Sequence, residues 1–368
     1  MSMLENEIVA EIRANGPMGI DRFMALALGH PRHGYYMTRD PFGMAGDFVT
    51  APEISQIFGE LLGLFTAIGW QMLGEPAKVA LVELGPGRGT LMADALRAAR
   101  ALPGFTSCLE VHLVEMSPVL QRAQADTLKE SGHRVAWHPS IESLPEDRPL
   151  LILANEFFDA LPIRQFQRYG TEWRERLVGI GPDGQLALGL DRNAAQGLTI
   201  EAPEGTVFET SPISLDIMKK LANRLASQNG LLLAVDYGHA HFAFGETLQA
   251  VRKHQFASVL ANPGEADITA HVDFASLAIA ARRAGAKDHP VLTQATLLER
   301  LGIQHRAGIL KTKAENPAEI DAAVERLAGT GPGGMGKLFK ALAISGPGMA
   351  ALPGFDRPDP RLAGTASR

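Results

Sequence analysis

Three glycines, Gly85, Gly87 and Gly89, follow a short apolar run from Val79 to Leu84 that carries one acid, Glu83, and they precede a helix-like segment, Met92 to Ala101. The pattern suits a nucleotide-type cofactor: a strand buried on both faces runs into a turn whose glycines let the backbone bend and approach a ligand without Cβ interference. Spacing narrows the choice. The dinucleotide fingerprint G-x-G-x-x-G/A started at Gly85 meets Thr90, and started at Gly87 it meets Met92, so neither register fits. A second run, Leu109 to Val114, ends in Glu115-Met116-Ser117-Pro118. A carboxylate at that strand tip can accept both hydroxyls of a ribose, each such charged hydrogen bond contributing roughly 1.5 to 3 kcal/mol. Ser117 and Pro118 then suit the cap and first position of the next helix.

Further polar residues follow other apolar runs. Leu150 to Ala154 leads into Asn155-Glu156-Phe157-Phe158-Asp159, and Gly230 to Val235 leads into Asp236-Tyr237. In open parallel sheets ligands bind beyond the carboxyl ends of the strands, so these residues are expected to converge with the glycine turn on one crevice. The competing reading of Asp159 and Asp236 is that each caps a helix. A long segment from His30 to Glu53, rich in glycine, proline and aromatics, is expected to form a lid, with Asp47, Thr50 and Glu53 as lid or substrate-facing residues beside Asp236 and Tyr237.

The elements that must position these residues read as α/β. Residues 4 to 28 show helical spacing broken by Asn15-Gly16-Pro17, an all-helical entry. A helix beginning at Pro52 and Glu53 carries Ile54, Ile57, Phe58, Leu61, Leu62, Phe65 and Ile68 as a core stripe. Alternation from Ile163 to Leu190 around Asp183-Gly184 predicts a β-hairpin insertion. A helix from Ser214 to Ser227, a helix of small residues ending near Ala284, a short strand at Val291 and a helix from Ala295 to Leu301 complete the pattern. The sheet is expected to be parallel and doubly wound. The division expected is a helical region with lid over 1–75, a core over 76–346 with insertions near 163–210 and 240–330, and a loose tail over 347–368.

Composition narrows the function. With 35 basic against 41 acidic residues and a net charge of −6, nothing favours nucleic acid. The single cysteine, Cys108, excludes internal disulfides and Cys-rich zinc sites, and the pair His239 and His241 lacks a metal-binding pattern, so no metal is expected. No run approaches the ~20 apolar residues of a membrane helix, and the first twenty residues resemble neither a secretory signal nor a transit peptide, so a soluble, cytoplasmic protein of bacterial type is expected. Gly331 to Lys337 imitates a phosphate loop, but Leu338 offers no hydroxyl for magnesium and a helix precedes it; a helix-entry turn is the expectation there.

The arrangement E-x-G-x-G-x-G at Glu83 to Gly89 resembles motif I of class I S-adenosylmethionine-dependent methyltransferases. Together with P-R-H-G-Y-Y at 31 to 36, G-D-F-V-T-A-P-E-I-S-Q-I-F-G-E at 46 to 60, N-E-F-F-D-A-L-P at 155 to 162, V-D-Y-G at 235 to 238 and T-A-H-V-D-F at 269 to 274, it makes the chain from about 5 to 346 closely resemble the MidA-type family. That resemblance implies a Rossmann-like class I methyltransferase fold, S-adenosyl-L-methionine as cofactor, and a protein arginine as substrate. In mitochondrial members, in the matrix, it also implies a part in respiratory complex I assembly. It implies cofactor contacts from Glu83, Gly85, Pro86, Gly87, Gly89, Glu115, Met116 and Asn155, and catalytic carboxylates at Glu156 and Asp159. Arginine methyltransferases of the familiar kind carry two glutamates on a longer loop, so the target residue stays open. A non-catalytic adenosylmethionine-binding assembly factor is the alternative, and a nicotinamide oxidoreductase a third reading. Sequence gives no oligomeric state.

Overall fold

A computed structural model of the protein describes residues 2–39, 50–349 and 351–362. The chain divides into two compact units, each assembled from separated stretches of sequence.

The larger unit holds residues 49–158, 217–241 and 272–368. Among the described residues its sheet has nine strands, and the six longest are β1 (Val79–Leu84), β2 (Leu109–Val114), β3 (Val135–His138), β4 (Leu150–Asn155), β5 (Gly230–His239) and β6 (Phe339–Ser345), in the order β6-β5-β4-β1-β2-β3. β1 to β5 pair in parallel, whereas β6 runs antiparallel to β5, with Asp236 opposite Lys340. The sheet is therefore mixed, a correction to the all-parallel expectation. β1 and β4 are buried along their whole length, as continuous apolar runs inside an α/β sheet must be. The Gly331–Lys337 segment leads from the helix Pro317–Ala328 into β6, so it is a strand entry and not the helix entry expected.

The helix Gln56–Met72 lies on this sheet and starts later than expected: Ala51–Ile54 forms a separate turn, and Ser55, in extended conformation, caps Ile57. Ile57, Phe58, Leu61, Leu62 and Phe65 are buried, whereas Ile68 is 38% exposed. Gly63 lets this helix close on Thr90–Ala99, since a Cβ there would lie 2.5 Å from Ala95 Cα. The expected loose tail is also corrected: through residue 362 it is folded, with Leu352, Phe355 and Asp359 buried.

The smaller unit holds residues 1–48, 159–216 and 242–271. Helices Met3–Asn15 and Ile20–Gly29 agree with the helical entry, but a two-residue strand, Met18–Gly19, lies between them and pairs with Leu177 and Val178. The expected hairpin is Glu172–Ile180 with Leu186–Ala194, turning at Gly184, and it belongs to a five-stranded sheet with Arg164–Tyr169 and Val207–Thr210. Leu4, Ile8, Phe23, Ile163, Val178 and Ile268 share one core there, joining sequence stretches more than 200 residues apart. Among the described residues no helix is long and apolar enough to cross a membrane.

Candidate functional site

The sheet of the larger unit presents the carboxyl ends of β1, β2, β4 and β5 on one edge, and the candidate residues of that unit lie there. Glu83 is the penultimate residue of β1 and only 3% exposed. Its carboxyl group meets the backbone N–H of Met92 in the first turn of the helix Thr90–Ala99, yet burial dominates and pushes its pKa well above the usual carboxylate range. Among the described residues Oε2 of Glu83 has no hydrogen-bond partner. A buried carboxyl oxygen left in this way is costly and points to a missing donor. Gly85, Gly87 and Gly89 all have positive φ, +60°, +53° and +83°, a region that L side chains enter at a cost. A Cβ at position 85 would also come within 3.0 Å of the Phe157 ring. The Pro86 carbonyl accepts the Gly89 N–H at 2.7 Å, closing the turn into the helix.

Glu115 follows β2 directly. Its Oε1 accepts the Ser117 N–H at 2.7 Å and its Oε2 accepts Nε2 of Gln124 at 3.1 Å. Burial raises the pKa of this carboxyl, and those donors offset part of the rise. Ser117 caps the helix Pro118–Leu128 through the Leu120 N–H, the geometry expected of Ser-Pro at a helix start. Met116 is 60% exposed, an apolar side chain in the open beside the carboxylate. Gln124 was missed by sequence reasoning. The signal was present: Leu120, Gln124 and Leu128 recur at intervals of four and form the buried stripe of their helix, so a polar residue occupies a core position.

At the end of β4 the backbone turns sharply. Glu156 has φ +49°, in the left-handed region for a residue with a side chain, and its N–H donates to the Val235 carbonyl at 2.9 Å. Its Oε1 accepts the Ala51 N–H at 3.2 Å and Nδ2 of Asn155 at 3.1 Å. A carboxylate cannot donate, so the Asn155 amide nitrogen must face it, which turns Oδ1 away. That Oδ1 is buried and, among the described residues, without a partner. Asp236 takes the N–H groups of Phe157 and Phe158 on one oxygen and that of Tyr237 on the other. Thr50 is buried at the start of the Ala51–Ile54 turn, Glu53 accepts the Thr90 hydroxyl at 2.6 Å, and the Tyr237 ring meets Phe339 edge-on.

Two expected members remain. Asp47 lies outside the described residues. Asp159 belongs to the smaller unit, where its carbonyl accepts the Ala270 N–H; burial raises the pKa of the Tyr36 hydroxyl there, and the charges of Asp267 and then Asp159 add to the rise. Among the described residues no three His, Cys, Asp or Glu side chains gather as a metal site.

A family model described as "Putative S-adenosyl-L-methionine-dependent methyltransferase" matches residues 61–291. The chain is 38% identical over 333 residues to the mitochondrial protein arginine methyltransferase NDUFAF7 of Danio rerio, covering 82% of this chain and 77% of that protein. Against the human protein of the same name it is 35% identical over 337 residues, covering 84% and 76%. A Burkholderia thailandensis protein whose crystal structure was solved with S-adenosyl-homocysteine bound superposes with a TM-score of 0.86 at 29% identity, covering 96% of this chain and 95% of that one. The described residues suit such a cofactor, because among them no donor reaches the buried Glu83 Oε2 or Asn155 Oδ1, and both side chains sit at the carboxyl ends of strands. The match runs through the glycine turn, Glu115 and the Glu156 turn, and the chain belongs to this family of S-adenosyl-L-methionine-dependent methyltransferases.

Proposed function

We propose that the protein methylates an arginine side chain of a protein substrate, with Glu156 as the catalytic carboxylate. The observation that carries this reading is the backbone of Glu156. A side-chain-bearing residue in the left-handed region costs roughly 1 to 2 kcal/mol, and such strain tends to persist where it aims a functional group. Adenosylmethionine supplies an electrophilic methyl group on a sulfonium. Glu83 and the Gly85–Gly89 turn, with Pro86 in it, would hold its amino-acid end, Glu115 its ribose hydroxyls and Met116 its adenine. Asn155 would offer Oδ1 to a donor on the same ligand.

Arginine is cationic at any physiological pH, with a pKa above about 12, so its nitrogens are poor nucleophiles until positive charge is drawn aside. A carboxylate that binds the guanidinium draws that charge toward two nitrogens and fixes the plane of the group. The remaining nitrogen can then be aimed at the methyl, and most of the acceleration comes from this alignment. Thr50 and Glu53 face the substrate side in this reading. The names of the relatives support arginine as target, and a respiratory-complex subunit in a cytoplasmic or matrix compartment is the partner the family resemblance suggests.

The test is transfer of labelled methyl from adenosylmethionine into proteins of a lysate, followed by identification of the modified residue by mass spectrometry. Wild type should produce methylarginine, and Glu156→Gln should lose at least a hundredfold in rate while still binding S-adenosylhomocysteine. Label on another residue type would overturn the arginine assignment, and binding without any transfer would leave a non-catalytic assembly factor. Asp159→Asn, assayed alongside, shows whether one carboxylate suffices.

A further inference from the structure

Gln124 is completely buried, and all of its polar hydrogen-bonding groups are engaged. Nε2 donates to the Gly87 carbonyl at 2.8 Å and to Glu115 Oε2 at 3.1 Å, while Oε1 accepts the Trp137 indole N–H at 2.9 Å. These partners force the orientation of the amide: an indole N–H can only donate, and a carbonyl or a carboxylate can only accept. One side chain thus ties together the glycine turn after β1, the acid after β2 and the aromatic residue of β3. With Ser117 on the other oxygen, the Glu115 carboxylate is held from both sides.

We propose that Gln124 is the positioning residue that sets the Glu115 carboxylate for a vicinal diol, and that it couples occupancy of the ribose site to the glycine turn and to Trp137. The proposal rests on the assignment of Glu115 to the ribose hydroxyls. For a half-buried carboxylate such as Glu115 to accept two hydroxyls it must stay ionised and keep a fixed rotamer, and the buried Gln124 beside it helps supply both only when its own partners are satisfied. Removing the amide would take away the Gln124 donor from Glu115 Oε2 and from the Gly87 carbonyl, and the Gln124 acceptor from the Trp137 N–H, so the site would lose its preference for the diol before it lost its affinity for the rest of the ligand.

The experiment measures the affinity of S-adenosylhomocysteine and of its 2′,3′-dideoxy analogue by calorimetry, in the full-length protein and in Gln124→Leu, Gln124→Glu and Glu115→Gln. Wild type should prefer the diol by tenfold or more, the size of one charge-assisted hydrogen bond. Gln124→Leu should lose most of that preference while its affinity for the dideoxy analogue changes less than threefold. The change in Trp137 fluorescence on binding should vanish with it, Trp70 and Trp173 serving as internal references. Gln124→Glu keeps the size of the side chain and guards against misfolding. At neutral pH it sets two carboxylates together and should lose the preference, and as pH falls the protonated substituent can donate to Glu115 and the preference should return. Full preference retained in both Gln124 variants overturns the proposal. Absence of a preference in wild type overturns the assignment of Glu115 itself, and Glu115→Gln separates the cases, because it must abolish any preference that the carboxylate creates.

Discussion

Oδ2 of Asp236 accepts the backbone N–H of Phe158 at 3.0 Å, and the same oxygen accepts the N–H of Phe157 at 3.1 Å. The turn that carries Glu156 is therefore held by the neighbouring strand, since the Glu156 N–H also goes to Val235. Asp236, expected among lid or substrate residues, acts here as an anchor. In Asp236→Asn the amide can accept on only one atom and presents a donor to the others. The expected outcome is a loss of about 2 kcal/mol in urea unfolding, as for buried groups left unsatisfied, and a fall of tenfold or more in kcat with cofactor affinity changed less than threefold. Unchanged kcat would separate the turn from catalysis.

Gly85 tests the turn itself. Alanine there would have to hold φ +60° and place its Cβ 3.0 Å from Phe157. Gly85→Ala should weaken S-adenosylhomocysteine by tenfold or more in calorimetry and Gly85→Val should abolish binding, whereas Gly74→Ala, at a surface glycine with open space around it, should leave affinity unchanged.

Glu83 should make binding depend on pH. Burial holds its pKa well above the ordinary carboxylate range, so in the free protein this carboxyl keeps its proton to higher pH than an ordinary one does. A cationic amino group placed beside it favours the ionised form and would lower that pKa. Binding should then release a proton, and affinity should rise with pH from the ordinary carboxylate range to the raised value, flattening above it. The stability of the free protein moves oppositely. A raised folded-state pKa contributes stability that is fully present below the unfolded value and lost as pH rises through the folded one. Calorimetry in buffers of different ionisation enthalpy counts the protons, and Glu83→Gln should remove the dependence. Proton uptake on binding would contradict the assignment.

The glycine turn, Glu115 and the first parallel strands were legible because their signals are local: continuous apolar runs, glycines at fixed offsets and Ser-Pro at a helix start. What escaped depends on distant partners. Gln124 has its meaning only through Gly87 and Trp137, respectively 37 and 13 residues away. The antiparallel course of β6 is decided by its pairing with β5, and nothing within Phe339–Ser345 distinguishes it from a parallel strand. The smaller unit draws on three separated stretches, so a linear division into region, core and tail could not reveal it, nor that Glu156 and Asp159, three residues apart, fall in different units. Ile68 followed the helical stripe in sequence but is half-exposed at the far end of its helix.

The folded tail offers a stability test independent of the cofactor. Asp359 is buried and accepts the Thr293 N–H at 2.6 Å, the Thr293 and Thr296 hydroxyls at 2.7 and 2.9 Å, and the Arg361 N–H at 2.8 Å. Arg300 adds hydrogen bonds to the carbonyls of Gly354, Arg357 and Pro358. Burial works to raise the Asp359 pKa, but the donors from Thr293, Arg361 and Thr296 outweigh it and the net shift is downward. A depressed folded-state pKa contributes stability that is present above the unfolded value, about 3.9, and is lost as pH falls through the folded one. Acidification below that range should therefore lower the unfolding free energy of wild type, and Asp359→Asn should flatten the part of the profile due to this group. At neutral pH the same variant should cost about 2 to 3 kcal/mol in chemical unfolding, as for hydrogen bonds to a charged group. It should leave S-adenosylhomocysteine affinity unchanged within error, because none of these partners belongs to the cofactor residues. A tail that only lay loosely on the surface would show neither effect.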